Sequence, residues 1–204
     1  MKEKYIEDLK EIKDIMNRSS RFISLSGLSG ITAGVIALTG VYLLHKFVFE
    51  YQDYLIFDRV AISSDRFDQL WQISLGTLLL AILSVIYLTT KETKKRNQRI
   101  WDHHTKRILV NLTIPLFTGG ILCLTLLFEG FIGMLPPLSL IFYGLALINV
   151  SKYTLNEIRN LGLLEVALGL IAMQYIEHGL IFWSIGFGGL HILYGAIVYR
   201  KYKL

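Results

Sequence analysis

Residues 161–170 read LGLLEVALGL. Nine of the ten are apolar or Gly, and the tenth is Glu165. A run this apolar belongs inside a soluble core or across a bilayer, and the rest of the chain decides between them. The protein has 204 residues, of which 53% are hydrophobic, with a mean hydropathy of +0.48. Several further windows carry one charge or none over the length that crosses a ~30 Å hydrocarbon core. Ordinary soluble domains do not have this composition.

Working outward from that stretch, the sequence predicts an all-α polytopic membrane protein. It has six transmembrane helices in one bundle, at about 22–49, 70–90, 108–128, 136–150, 161–176 and 179–199. Helices are required because every backbone N–H and C=O in lipid needs an internal partner. A β-barrel would need short alternating segments, and these runs are continuous. The first twenty residues, MKEKYIEDLKEIKDIMNRSS, are charge-rich and lack the apolar centre of a signal peptide. Tyr5, Leu9, Ile12 and Met16 lie on one helical face, so residues 1–21 are expected as a cytoplasmic amphipathic helix. The single Cys123 excludes an intrachain disulfide.

Charge distribution gives the orientation. With the N-terminus inside, 18 of the 21 Lys and Arg fall in inner segments, and only Lys46, Arg59 and Arg66 fall outside. That asymmetry places both termini in the cytoplasm and suits a bacterial inner membrane. The basic loop 91–99, KETKKRNQR, suits anionic lipid head groups, although a plain topology determinant is the simpler reading. Nucleic acid is not the expected partner. The outer loop 50–69 carries five acids and reads as a solvated connector, with LIFDRVAI as a candidate surface helix.

Small residues recur at helical spacing. Ser26, Gly30 and Gly34 form one stripe in the first span. Gly162, Glu165, Gly169 and Ala172 form another in the fifth, and Ser184, Gly188, His191 and Gly195 a third in the sixth. Such stripes let helix backbones approach closely in lipid. The first is expected to make a contact within the bundle, with a homo-oligomer seam as the lesser expectation. Spans five and six are joined by almost no loop, so they are antiparallel neighbours. Glu165 and His191 then both lie roughly 10–12 Å from the cytoplasmic side, at about 1.5 Å per residue. The spacing predicts that the two meet inside the bundle. Tyr143, Asn111, Tyr194, Ser29 and Thr32 fall at similar depth and complete a candidate polar cluster.

A carboxylate facing lipid is costly, so Glu165 is expected to be buried and either partnered or protonated. Its functional reading is a proton- or cation-coupled site with His191. Its plainer reading is a hydrogen bond that fixes helix register. His45, Glu177 and His178, near the outer surface, are weak candidates for a metal. Nothing calls for a cofactor, and no nucleophile, phosphate-loop, zinc-protease or dinucleotide motif occurs. An intramembrane lipid-modifying enzyme is a weak third option. The leading expectation is a small transporter or channel-like protein. The alternative is a non-transporting accessory, sensor or assembly protein acting through helix contacts.

At SRFISLSGLSGITAG (20–34), PLFTGG, LIFYGLALINVSKYTL and GFGGLHILYG, the chain resembles a family of small six-span bacterial inner-membrane proteins with no established activity. The resemblance implies the six-span arrangement and no site residues.

Overall fold

The computed structural model describes residues 27–50, 55–95 and 103–202, apart from the side chains of His103 and His104. The expected amphipathic helix at 1–21, Ser26 and residues 96–99 of the basic loop lie outside these residues. Every regular element among the described residues is helical. The helices are α1 (Gly27–Leu44), α2 (Ser64–Lys95), α3 (His103–Phe128), α4 (Leu135–Val150), α5 (Asn156–Ala172), α6 (Gly179–Trp183) and α7 (His191–Tyr202). A π-turn at His45–Phe49 extends α1, and another at Ser184–Leu190 joins α6 to α7 into one long rod.

Five of these rods are long and apolar enough to cross a membrane: Gly27–Phe49, Ser64–Lys95, Thr105–Phe128, Ile132–Tyr153 and Ile176–Tyr202. The remaining expected span, the fifth, is α5, which has 17 residues and bounds that differ from the apolar run at 161–176. It begins at Asn156, after Leu155 in extended conformation. It ends at Ala172, because the chain turns at Gln174 and Tyr175 before a short 3-10 turn at Ile176–His178. Met173, Tyr175 and Ile176 keep the run largely apolar around Gln174, so hydropathy reads on to Ile176. The opening of α4 was better marked in the sequence. Its two prolines, Pro136 and Pro137, sit in the first turn, where a missing N–H leaves no helical bond unmade.

Pro115 lies inside α3. It cannot donate to the carbonyl of Asn111, four residues earlier, so that acceptor needs another partner. The side-chain amide of Asn149 on α4 donates to the Asn111 carbonyl at 3.0 Å. The Asn111 side chain itself donates back to the Arg107 carbonyl of its own helix.

The rods stand in an open order. α1 lies between α2 and the α6–α7 rod, and α4 lies between α3 and α5. The two groups meet where the α6–α7 rod packs on α4 and touches α5. Backbone-to-backbone contact holds each group. A Cβ added at Gly34 would sit 2.7 Å from the Gly188 carbonyl oxygen, and one at Gly195 would sit 2.5 Å from that of Gly27. Gly30 closes on Gly195 in the same seam. Gly144 and Gly162 face each other between α4 and α5, while Gly169 lies against Pro137 and Ile141.

These contacts correct one expectation. The stripe glycines of spans five and six do not pack those spans on each other; Gly186, outside the stripes, is the one that meets α5. Gly162 and Gly169 face α4, and Gly188 and Gly195 face α1. Of the first-span stripe, Gly30 and Gly34 make a contact within the bundle, against the α6–α7 rod.

Side chains tie the ends in pairs. At one end Lys201 reaches Glu157, and the Arg107 guanidinium lies over the Tyr153 ring. At the other, Arg59 pairs with Glu129 at 2.9 Å, and Phe67 meets Phe128. The segment LIFDRVAI forms no helix. It is pinned across that end instead: the Val60 N–H donates to Gly130, whose φ of +85° suits glycine, and Leu55 is buried. Leu55 is buried and Val60 half-buried, while residues 56–59 and 61 are exposed, as the connector reading expects.

Candidate functional site

Three elements converge on one buried centre: α4, α5 and the π-turn that opens α7. α5 contributes Glu165, which is fully buried at 0% exposure. α7 contributes His191, with only 6% exposed. α4 contributes Tyr143.

The His191 ring uses both nitrogens. Nδ1 lies 3.0 Å from the Gly186 carbonyl oxygen, and Nε2 lies 2.7 Å from the Tyr143 hydroxyl. A carbonyl only accepts, so Nδ1 carries a hydrogen and donates it. On the neutral ring, Nε2 then accepts from the Tyr143 O–H. The π-turn makes this possible, because its wider register lets a side chain reach a carbonyl five residues back. Single π-turns within α-helices recur at functional sites. The ring is further held by Phe187, stacked at 5.8 Å, and by Tyr143 at 5.3 Å between centroids.

Glu165 is placed differently. Its Oε1 lies 3.4 Å from His191 Nδ1, beyond a well-formed charge-assisted hydrogen bond. Neither carboxyl oxygen has a hydrogen-bond partner among the described residues. The space beside it is tight. A Cβ on Gly186 would lie 2.5 Å from Oε2 and would run into Leu140, with Leu168 next to it. Gly186 thus lends the ring its carbonyl and makes room for the carboxyl.

Above the centre, Trp183 packs tilted against Phe187 with centroids 4.6 Å apart, and its Nε1–H donates to the Ser139 hydroxyl at 3.1 Å. Ser139 in turn donates to the Pro136 carbonyl. An aromatic column of Trp183, Phe187, Tyr143 and His191 therefore closes the α4 side.

Of the residues singled out by sequence, the structure brings Glu165, His191 and Tyr143 together. Thr32 turns its hydroxyl back onto the Leu28 and Ser29 carbonyls of its own helix. Asn111 does the same to Arg107, and its carbonyl serves the Pro115 gap, so neither residue joins the pair. Ser29 is buried on α1, the helix that packs along α7. Tyr194 lies one turn beyond His191 against Gly30, with its hydroxyl buried and unpartnered among the described residues. Glu177 and His178 touch each other at 3.5 Å with exposed side chains, and His45 is exposed in its π-turn. Among the described residues, no group of three His, Cys, Asp or Glu comes together that could hold a metal ion.

Gly186, Phe187, Trp183 and Ser139 escape a reading based on polarity and depth. The signal for them is the glycine density of SIGFGGL just before His191, which weakens α-helical propensity where the π-turn forms. Compared with protein families, curated proteins and solved structures, the chain matches none.

Proposed function

We propose that this chain is a six-span inner-membrane protein of transporter or channel type, with both termini in the cytoplasm. Its working centre is Glu165 with His191 and Tyr143, which takes up and releases a proton or small cation. The observation that carries this reading is the Glu165 carboxyl, fully buried beside a histidine and left without a hydrogen bond on either oxygen among the described residues. A residue kept only to fix helix register is expected to use its hydrogen-bonding capacity, since an unmatched buried polar group costs about 1–3 kcal/mol. Ionisable groups inside membrane helices generally mark transport or proton pathways.

The centre is closed to both sides, so transport on this reading proceeds through a second conformation. The narrow seam between α5 and the α6–α7 rod is the place to open it. Each of these elements packs more closely on another helix, α5 on α4 and the rod on α1.

The burial of the pair also favours a second reading, in which the protein is an accessory, sensor or assembly protein and the pair is structural. Against that reading, Gly30 and Gly34, a small-residue face that a partner helix would use, are covered by the α6–α7 rod. A flux assay in proteoliposomes separates the two, with wild type beside Glu165→Gln and a panel of protons, monovalent cations and small solutes. The transporter reading expects flux above empty vesicles for wild type and its loss in the variant. No flux for any member of the panel leaves the accessory reading.

A further inference from the structure

The hydrogen-bond geometry at Glu165 bears on which ion the centre holds. We infer that the ion is a single proton, and that in this closed state Glu165 is a neutral carboxylic acid beside a neutral His191. The inference names the ion for the site proposed above, and it rests on that reading only in its consequence for transport.

The two distances at Nδ1 carry the argument. If Glu165 were ionised beside an imidazolium, the ring N–H would turn to the carboxylate and form a short charge-assisted bond. Instead Nδ1 lies 3.0 Å from the uncharged Gly186 carbonyl and 3.4 Å from Glu165. The ring donates past the carboxyl. An ionised carboxylate with no donor in an apolar enclosure is strongly disfavoured, and protonation removes the charge.

Among the described residues, no other charge compensates it. The helices and turn packed on Glu165 read LPPLSLIFYGLALINV for α4, GLIFW for α6 and SIGFGGL for the π-turn, without a Lys, Arg, Asp or further Glu. Their titratable group is Tyr143. On α7, His191 and Tyr194 lie at this end, and Arg200 and Lys201 at the far one. On α5 itself, Glu157 and Arg159 sit at its opening, the former tied to Lys201.

A metal cation is a poor occupant on the same geometry. Oxygen-binding cations such as Mg2+ and Ca2+ take about six or more oxygen ligands. This centre offers one carboxyl, one carbonyl already accepting from the ring, and a hydroxyl engaged with Nε2. Gly186 and Leu140 fill the space where further ligands would stand.

Infrared spectroscopy of the full chain in lipid nanodiscs at neutral pH tests this, with 13C-glutamate and 13C-aspartate labelling. The expected result is a carboxylic-acid C=O band that moves with 13C-glutamate and disappears in Glu165→Gln. It is expected to persist when Na+, K+ or Mg2+ is added. Should Glu165→Gln fail to fold, Glu165→Asp is expected to transfer the band's sensitivity from the glutamate to the aspartate label. Absence of the band in wild type at neutral pH, or its loss on adding a cation, overturns the inference. A band without flux keeps the neutral pair and removes the transporter. Flux without the band keeps the transporter and removes the neutral pair.

Discussion

Gly186 is the residue on which the centre turns, because one atom added there meets both Glu165 and Leu140. Gly186→Ala is expected to cost about 1–3 kcal/mol through overpacking, read as a lower unfolding midpoint in detergent. Gly189→Ala, three residues on, is the control. Nothing lies within 4 Å of its Cβ position. Alanine there is expected to leave stability unchanged or to raise it by up to ~1 kcal/mol through helix propensity. Equal losses at the two positions would remove the special role of Gly186. At the far end of α5, Glu157 is partly buried, which by itself raises its carboxyl. The Lys201 ammonium, its own backbone N–H and the Tyr202 hydroxyl outweigh that and bring it below the ordinary carboxylate value. A group lowered in this way stabilises the fold above its unfolded pKa of about 4.3. That contribution is lost as pH falls through the lower folded value. Below about pH 4.3, wild type is therefore expected to lose thermal stability more steeply than Glu157→Gln. Parallel melting curves for the two would contradict this.

At the scale of elements, the α1–α7 and α4–α5 contacts are glycine against backbone, with Gly27, Gly30 and Gly195 in the first seam and Gly144, Gly162 and Gly169 in the second. Gly195→Leu is expected to pry α1 from α7, and Gly162→Leu to pry α5 from α4, each destabilising by more than Gly186→Ala. Crosslinking between cysteines placed across each seam, in a Cys123→Ala background, checks whether only the substituted seam opens. The Asn149 amide is expected to contribute about 1–3 kcal/mol, since Asn149→Ala leaves the Asn111 carbonyl without a partner beside Pro115. A matched unfolding series in which Asn149→Ala costs nothing would show that another group takes the bond. These elements also show what could be read from the chain alone. The apolar rods, the proline start of α4 and the meeting of Glu165 with His191 follow from hydropathy, spacing and depth. The partner of each glycine stripe does not, because a small-residue face fits any neighbouring small-residue face. The end of α5 and the π-turn were hidden for a related reason. The π-turn changes the backbone register within a run of small and apolar residues, and after Ala172 the single Gln174 does not break the apolar run before Glu177.

The whole molecule sorts its charges by end. Lys106, Arg107, Lys152, Arg159, Arg200 and Lys201 lie at the helix ends joined by the Lys201–Glu157 and Arg107–Tyr153 contacts, and Lys94 and Lys95 close α2. Lys46, Arg59 and Arg66 lie at the other. Between these ends, large apolar side chains such as Leu80, Leu83, Tyr87, Phe117 and Phe128 stand more than half exposed. Burying such a belt in lipid fits the proposed six-span insertion with the basic end in the cytoplasm. Between the two ends lies one fully buried carboxyl with no hydrogen bond among the described residues, and the functional account rests on it. Its most direct test is proton movement driven by an imposed pH gradient across proteoliposomes, with wild type and Glu165→Gln reconstituted at equal amounts. The account predicts proton flux well above empty vesicles for wild type and background flux for Glu165→Gln. Background flux in both, or equal flux in both, would contradict it.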